Sequence, residues 1–322
     1  GKTYQARLQT SLLFDIWKEE FAPYSRLTHA SQIELVQFHP SFSYEDFMEG
    51  LRPVLDSDGN SQLTLQNGVF KEFCRSAGKW EIDVYGLGLT QKWESITIKE
   101  LLPFREKLSG EHWQDIFEIS NISKLVSEAV PPFFFIIDEV NRAELSRVFG
   151  ELMYCLEYRG TRGCVKTQYS NLNNEHTGML KDAQGYLFFI PTNIYLIGTM
   201  NTIDRSVESF DFALRRRFRW EEVVPDMALL KYHLNQFCKA WLPLVDNLER
   251  LNELIAKEPL LGNDYQIGHA YLMDLKYATS LTVSEVRERV WDDCIRPLLQ
   301  EYLRGTGKET ELISSFGKAF GV

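Results

Sequence analysis

Asp138 and Glu139 stand side by side after a run of large apolar residues, Phe133 to Ile137. A carboxylate pair in that setting can hold Mg²⁺ on a nucleoside triphosphate with one member and polarise an attacking water with the other. Three further groups could join them. Gly1-Lys2-Thr3 offers backbone amides, a cation and a hydroxyl. Asn201, Thr202 and Asp204 come after a second apolar run, and Arg215, Arg216 and Arg217 stand consecutively. Each group also has a plainer reading. Two acids can end a strand as solvated charges, and a cationic run can close a helix against its own macrodipole.

The elements that must position these residues can be read from spacing. Five consecutive large apolar residues suit a strand buried on both faces of a parallel sheet. Groups at the carboxyl ends of such strands face the crevice where ligands bind, so Asp138-Glu139 has the layout of a Walker B strand. Gly1-Lys2-Thr3 matches the end of a P-loop, G-x-x-x-x-G-K-[ST], and the stretch from Tyr4 to Phe21 reads as a helix with Leu8, Leu12, Phe14 or Ile16 and Trp17 on its apolar side. The strand and glycines that would precede it are expected upstream of Gly1. Ile33 to Phe38 reads as a second strand, after which Ser43 can cap a helix with Asp46 in its first turn. Residues 68 to 77 fit a short amphipathic helix, Trp80 to about Ile98 an inserted β-hairpin, and Glu111 to Ala129 a helix. Ala143 to Tyr158 predicts one continuous helix. Residues 159 to 187 read as a polar loop or hairpin, suited to facing the pore of a ring, and Ile194 to Thr199 as another buried strand. An amide at the end of that strand, Asn201, suits a sensor that orients water or a γ-phosphate. Phe210 to Phe218 predicts a helix carrying the three arginines. From Pro225 onward the pattern is helical over Ala228–Trp241, Leu244–Ala256, Val283–Ile295 and Arg296–Leu303. His269 lies in the Gly-containing link among them, either as a packed histidine or as a residue that senses nucleotide when a lid closes.

The 322 residues can bury a large core, and no run approaches the length of a membrane span, so a cytoplasmic protein is expected. The five cysteines are scattered without a C-x-x-C pair, which excludes a zinc site or disulfide frame by pattern and leaves reduced thiols. A net charge of −10 argues against a surface that coats DNA as a whole. Strong DNA affinity would then belong to another segment or to a partner.

Taken together, GKT at the start, VQFHPSFSYEDFMEGLRP at 36–53, FFFIIDEVNRAELSRVFGELM at 133–153, IYLIGTMNTIDRSVESFDFALRRRFRW at 194–220 and the IGHAYL link resemble the McrB-type AAA+ motors of modification-dependent restriction systems. MoxR-like and dynein-related ATPases are similar around DEVNRA. MNTIDRS followed by FALRRRF is the more specific match. The resemblance implies an α/β fold: a P-loop AAA+ domain over residues 1–224, its first strand and most of its P-loop outside this chain, with a hairpin inserted at about 80–100. A helical lid over 225–322 would come next. The 80–130 insert is longer than the family pattern suggests. The resemblance further implies a hexameric ring, Mg²⁺-dependent hydrolysis of GTP (or ATP), and an McrC-type endonuclease partner. DNA would be reached through a missing N-terminal domain or the assembled complex, with no membrane involved. Phosphate binding falls to Gly1, Lys2 and Thr3, with metal binding shared by Thr3 and Asp138. Water chemistry falls to Glu139, a catalytic motif to Asn201, Thr202 and Asp204, trans-acting cations to Arg215, Arg216 and Arg217, and nucleotide sensing to His269. The rival readings are a MoxR-like or dynein-related ATPase that remodels proteins, and a nucleotide-gated scaffold with little turnover.

Overall fold

The computed structural model describes residues 1–21, 28–55, 57, 59–86, 131–203, 212–273 and 281–322. Two compact units emerge, Lys2–Arg219 and Trp220–Val322, the latter counted with Gly1.

At the centre of the first unit lies β4, Phe133–Asp138, paired in parallel with β1, Ile33–Gln37, on one side and β7, Ile194–Gly198, on the other. Its first five residues are buried, as expected for a strand covered on both faces. Alternation sends Phe133, Phe135 and Ile137 into one core with Phe47, Phe70, Phe73 and Phe149. There Phe47 and Phe70 stack at 4.6 Å, and Phe70 meets Phe135 edge-on at 4.9 Å. Helix α1, Lys2–Phe21, packs against β4. Its buried stripe keeps the expected Phe14 but not the expected leucines. Ala6, Thr10 and Phe14 are buried, while Leu8, Leu12 and Ile16 are more than half exposed. Small residues at i and i+4 let the helix backbone approach, and Thr10 satisfies its own hydroxyl by donating to Ala6 O at 2.9 Å.

Two short helices, α2 (His29–Gln32) and α3 (Tyr44–Phe47), flank β1. The expected Ser43–Asp46 capping box forms, with Ser43 accepting from the Asp46 amide. An antiparallel hairpin that pattern does not reveal, β2 (Glu49–Leu55) and β3 (Ser61–Asn67), follows.

Helix α4, Val69–Gly86, overturns the expected hairpin where the two overlap. Trp80 to Gly86 is helical because the core-facing period does not stop at Ala77. Phe70, Phe73, Cys74, Ala77 and Glu81 are all buried, and Gly78 sits so close to Met179 that an added Cβ would come within 2.6 Å. Residues 87–100, and the helix expected over 111–129, lie outside the described residues.

The single helix expected over 143–158 is two, α5 (Leu145–Phe149) and α6 (Leu152–Glu157). Gly150 breaks it at φ +46, a conformation that glycine adopts without steric cost. The segment 159–187 contains a small hairpin, β5 (Leu180–Asp182) with β6 (Gly185–Leu187). The arginine helix, α7, is described over Phe212–Arg215 and ends before the expected Phe218, while Phe210 and Asp211 lie outside the described residues.

The second unit is helical: α8 (Met227–Phe237), α9 (Leu242–Lys257), α10 (Ala270–Met273), α11 (Val283–Val290), α12 (Arg296–Leu303) and α13 (Glu309–Phe320). Between α11 and α12 the expected helix loosens into a π turn at Trp291–Ile295, ahead of Pro297, which cannot donate a backbone hydrogen bond. The last helix has no counterpart among the sequence-based expectations. It packs Phe316 and Phe320 into the core, and Asn247 on α9 donates to Phe320 O at 2.6 Å. No helix among the described residues is long and apolar enough to cross a membrane.

A buried ion pair ties the hairpin to helix α4. Glu49 on β2 and Lys71 on α4 are both fully buried and bonded to each other. Asn173 accepts from Lys71 Nζ at 2.6 Å and donates to Glu49 Oε2 at 3.0 Å, while the Tyr169 amide donates to Oε1 at 3.1 Å. Burial pushes the Glu49 carboxyl up, but bonds from Lys71, Thr167 and Asn173 outweigh it and hold the group below the usual carboxylate range. That stabilisation is present above the unfolded carboxylate pKa of about 4.3 and is lost as pH falls through the depressed folded value. Lys71→Met should cost about 3–5 kcal/mol, because it strands a buried carboxylate. The Glu49→Gln/Lys71→Met double variant should recover most of that loss, and urea unfolding of the two proteins checks it.

Candidate nucleotide site

The strand ends bring five of the expected residues together. Lys2 and Thr3 open α1, Asp138 and Glu139 close β4, and Asn201 comes after β7. Thr3 Oγ1 donates to Asp138 Oδ1 at 2.5 Å. Lys2 Nζ donates to Met200 O at 2.8 Å and to Asn201 Oδ1 at 2.9 Å. Asn201 then passes the chain on, its Nδ2 donating to Glu139 Oε1 at 3.0 Å. One amide therefore links the lysine to the glutamate, and its two ends cannot be exchanged. Its oxygen must face the ammonium and its nitrogen the carboxylate.

Glu139 is the one non-glycine residue with positive φ among the described residues, at φ +52 and ψ +47. The left-handed turn costs about 1–2 kcal/mol for a residue with a Cβ. Backbone bonds on both sides hold it, since Val140 N–H donates to Thr199 O and Arg142 N–H to Glu139 O, each at 2.9 Å. Oε2 of Glu139 is buried and accepts no hydrogen bond, with Arg142 Nε 3.3 Å away as an ion-pair partner. A buried carboxylate oxygen with spare acceptor capacity is suited to receive a water proton.

Two further residues take part that pattern does not single out. Thr199 donates from Oγ1 to Asp138 Oδ1 at 2.5 Å. Asn141, two residues beyond Glu139 and 7% exposed, donates from Nδ2 to Asn201 O at 3.1 Å and leaves its Oδ1 buried without a partner. A polar residue directly before Met200-Asn201, and an amide within DEVNR, were the available signals.

The donor set fits Mg²⁺. One carboxylate and one hydroxyl in contact make a partial shell of hard oxygens, the kind that Mg²⁺ completes with water and phosphate. Among the described residues no cluster of three or more His, Cys, Asp or Glu could hold a metal alone. The cysteines are free, and burial pushes Cys155 and Cys164 up to about 12, which leaves both as unreactive thiols.

The bonds just described include none of the other expected residues. Thr202 is exposed, and Asp204 lies outside the described residues. Arg217 is bound to Glu157 at 2.7 Å with its side chain 12% exposed, whereas Arg216 is 3.9 Å from the same carboxylate and 69% exposed. Arg215 is exposed. His269 belongs to the second unit, where its Nδ1 accepts from the Asp226 amide at 2.9 Å and burial lowers its proton affinity. Arg217→Ala should therefore cost about 1.5–3 kcal/mol, the range for a hydrogen bond to a charged group. Arg216→Ala should stay within about 0.5 kcal/mol. Urea unfolding midpoints of the two variants separate these roles.

Comparison with known proteins agrees with the geometry. Residues 21–218 match the AAA domain family, dynein-related subfamily, and residues 243–311 match the McrB alpha-helical lid domain. The chain is 33% identical over 313 residues to the Type IV methyl-directed restriction enzyme EcoKMcrB subunit of Escherichia coli (strain K12), covering 94% of this chain and 51% of that protein. It is 29% identical over 151 residues to the Type II restriction enzyme BsuMI component YdiS of Bacillus subtilis (strain 168), covering 37% of this chain and 41% of that protein. The chain thus spans about half the length, or less, of these curated relatives. A parallel sheet whose strand ends gather Lys2, Thr3, Asp138, Glu139 and Asn201, followed by a lid of the McrB type, places the chain in the dynein-related AAA family as an McrB-type AAA+ protein.

Proposed function

We propose that the chain is the motor module of a restriction system: a ring-forming nucleoside triphosphatase, hydrolysing GTP in preference to ATP, that drives a partner endonuclease of the McrC type along DNA. The observation that carries the hydrolytic part is the continuous contact Lys2–Asn201–Glu139 beside Thr3–Asp138. Lys2 supplies positive charge to the β- and γ-phosphates, and Thr3 with Asp138 would hold Mg²⁺, which neutralises charge on the phosphate oxygens when bound. Glu139 takes the proton of the attacking water. Asn201 fixes the direction of that carboxylate through the bond to Oε1. Its oxygen is released for a water when Lys2 moves to a phosphate. The restriction role and the partner rest on likeness to the Type IV and Type II restriction proteins, and guanine preference rests on family resemblance.

A ring supplies the remaining cation. Phosphoryl transfer spreads negative charge over the γ-oxygens, and an arginine from a neighbouring subunit is worth about 10³ to 10⁵ in rate. Arg216 is the candidate that suits this best, because an exposed side chain can leave its own subunit whereas Arg217 is committed to Glu157. In full-length protein Glu139→Gln should bind nucleotide and assemble but not turn over. Arg216→Ala should do likewise, and co-assembled rings of the two should recover hydrolysis. No recovery in rings verified to be mixed would refute a shared site. Lys2→Ala should abolish binding of a labelled guanine triphosphate, measured by fluorescence anisotropy, and equal kcat/KM for GTP and ATP would favour a remodelling ATPase of the dynein-related kind instead.

A further inference from the structure

Asp138 is reached by two hydroxyls, and they differ in what else they can do. Thr3 lies in the first turn of α1, and its oxygen is the one that a cation on a triphosphate would claim. Thr199 directly follows β7. It is 9% exposed, its N–H donates to Ile137 O at 2.8 Å, and its carbonyl accepts from Val140 N–H at 2.9 Å. The same residue therefore grips β4 on both sides of Asp138 and Glu139, and its hydroxyl proton goes to Asp138 Oδ1 at 2.5 Å. A hydroxyl has a single proton to give, so this bond sets the direction of the Thr199 side chain. Both hydroxyls converge on Oδ1. Among the described residues no donor reaches Oδ2.

A carboxylate pinned through one oxygen by a donor whose own backbone is bonded on both sides presents the other oxygen in a fixed direction. Such partners of ligating carboxylates are worth about 10–100-fold in metal affinity. We propose that Thr199 is a positioning residue that holds Asp138 by Oδ1 so that Oδ2 is offered to the divalent cation, and that it remains the holding partner when Thr3 turns to the cation. Thr199 thereby sets how tightly the nucleotide-loaded site takes its metal. The inference rests on the reading of Asp138 as the metal-holding carboxylate.

The test uses Mn²⁺ as a spin probe, with free ion measured by electron paramagnetic resonance in full-length protein saturated with a non-hydrolysable guanine triphosphate. Thr199→Val keeps the branched shape and removes the donor. It should weaken Mn²⁺ by about 10–100-fold. Thr199→Ser, which keeps the donor, should restore affinity to near the wild-type value, and both variants should remain fully folded at the assay temperature without metal. Asp138→Asn is the control. If it weakens Mn²⁺ while Thr199→Val does not, the positioning role is overturned and the reading of Asp138 stands. Equal losses in Thr199→Ser and Thr199→Val would also overturn it, since shape and not the donor would then be responsible. An unaltered affinity in Asp138→Asn would bring down the reading of Asp138 itself, and the inference with it.

Discussion

Burial of β4 on both faces is the constraint on which the first unit depends. A strand with Phe133 to Ile137 all buried has no solvent-facing side on which to carry charge. Its carboxylates can appear only where the strand ends, and the parallel partners β1 and β7 end beside it, Gln37 opposite Asp138 and Gly198 opposite Ile137. Parallel pairing thus gathers groups from distant parts of the chain at one edge without a dedicated loop. The left-handed turn at Glu139 arises from the same geometry. The chain must leave the sheet at once while keeping the side chain of Glu139 against Asn201, and the local strain of about 1–2 kcal/mol is offset by bonds that Val140 and Arg142 donate.

The polar groups of the site are already bonded to one another. Lys2 is held by a carbonyl and an amide, Asp138 by two hydroxyls, and Glu139 by Asn201. A triphosphate and cation bound by these groups would therefore have to exchange these contacts and not merely fill a gap. Such an exchange would cost little where the new partner carries more charge, because phosphate oxygens would replace a neutral carbonyl and amide at Lys2. Met200 O and Asn201 both follow β7, and Asn201 also bonds Glu139, so displacing Lys2 from the amide oxygen would alter the group that holds the glutamate.

Much of this could be read from the residues alone, and the omissions have physical reasons. Five apolar residues followed by two acids have few structural solutions, so β4 and its carboxylates were legible, as were the Ser43–Asp46 cap and the sheet-ending amide at Asn201. Thr199 was hidden because a threonine at a strand end is ordinary by propensity. Its role exists only once β7 lies beside β4. The buried stripe of α1 departs from expectation for a related reason, since leucines on a helix suggest an inward face, while close approach to the sheet favours Ala6 and Thr10. Gly150 breaks a helix whose apolar period continues through it, and periodicity cannot see a positive φ. Glu49 and Lys71 lie 22 positions apart, and nothing in either neighbourhood marks them as a buried pair.

The arginine run shows how three identical side chains acquire different fates. They are adjacent in sequence, yet α7 ends at Arg215, so the residues after it leave helical spacing and turn separately. Arg217 folds inward onto Glu157 of α6, while Arg216 reaches the same carboxylate only at long range and stays in solvent. The inward arginine has a stability role, because its removal leaves Glu157 without its close cation. The outward one contributes little to its own subunit, since an exposed ion pair at that distance is worth at most about 1 kcal/mol. Such a residue can be displaced toward an external anion at small cost. Two neighbours in one run of arginines therefore differ in what they hold, with Arg217 anchored on Glu157 and Arg216 left in solvent.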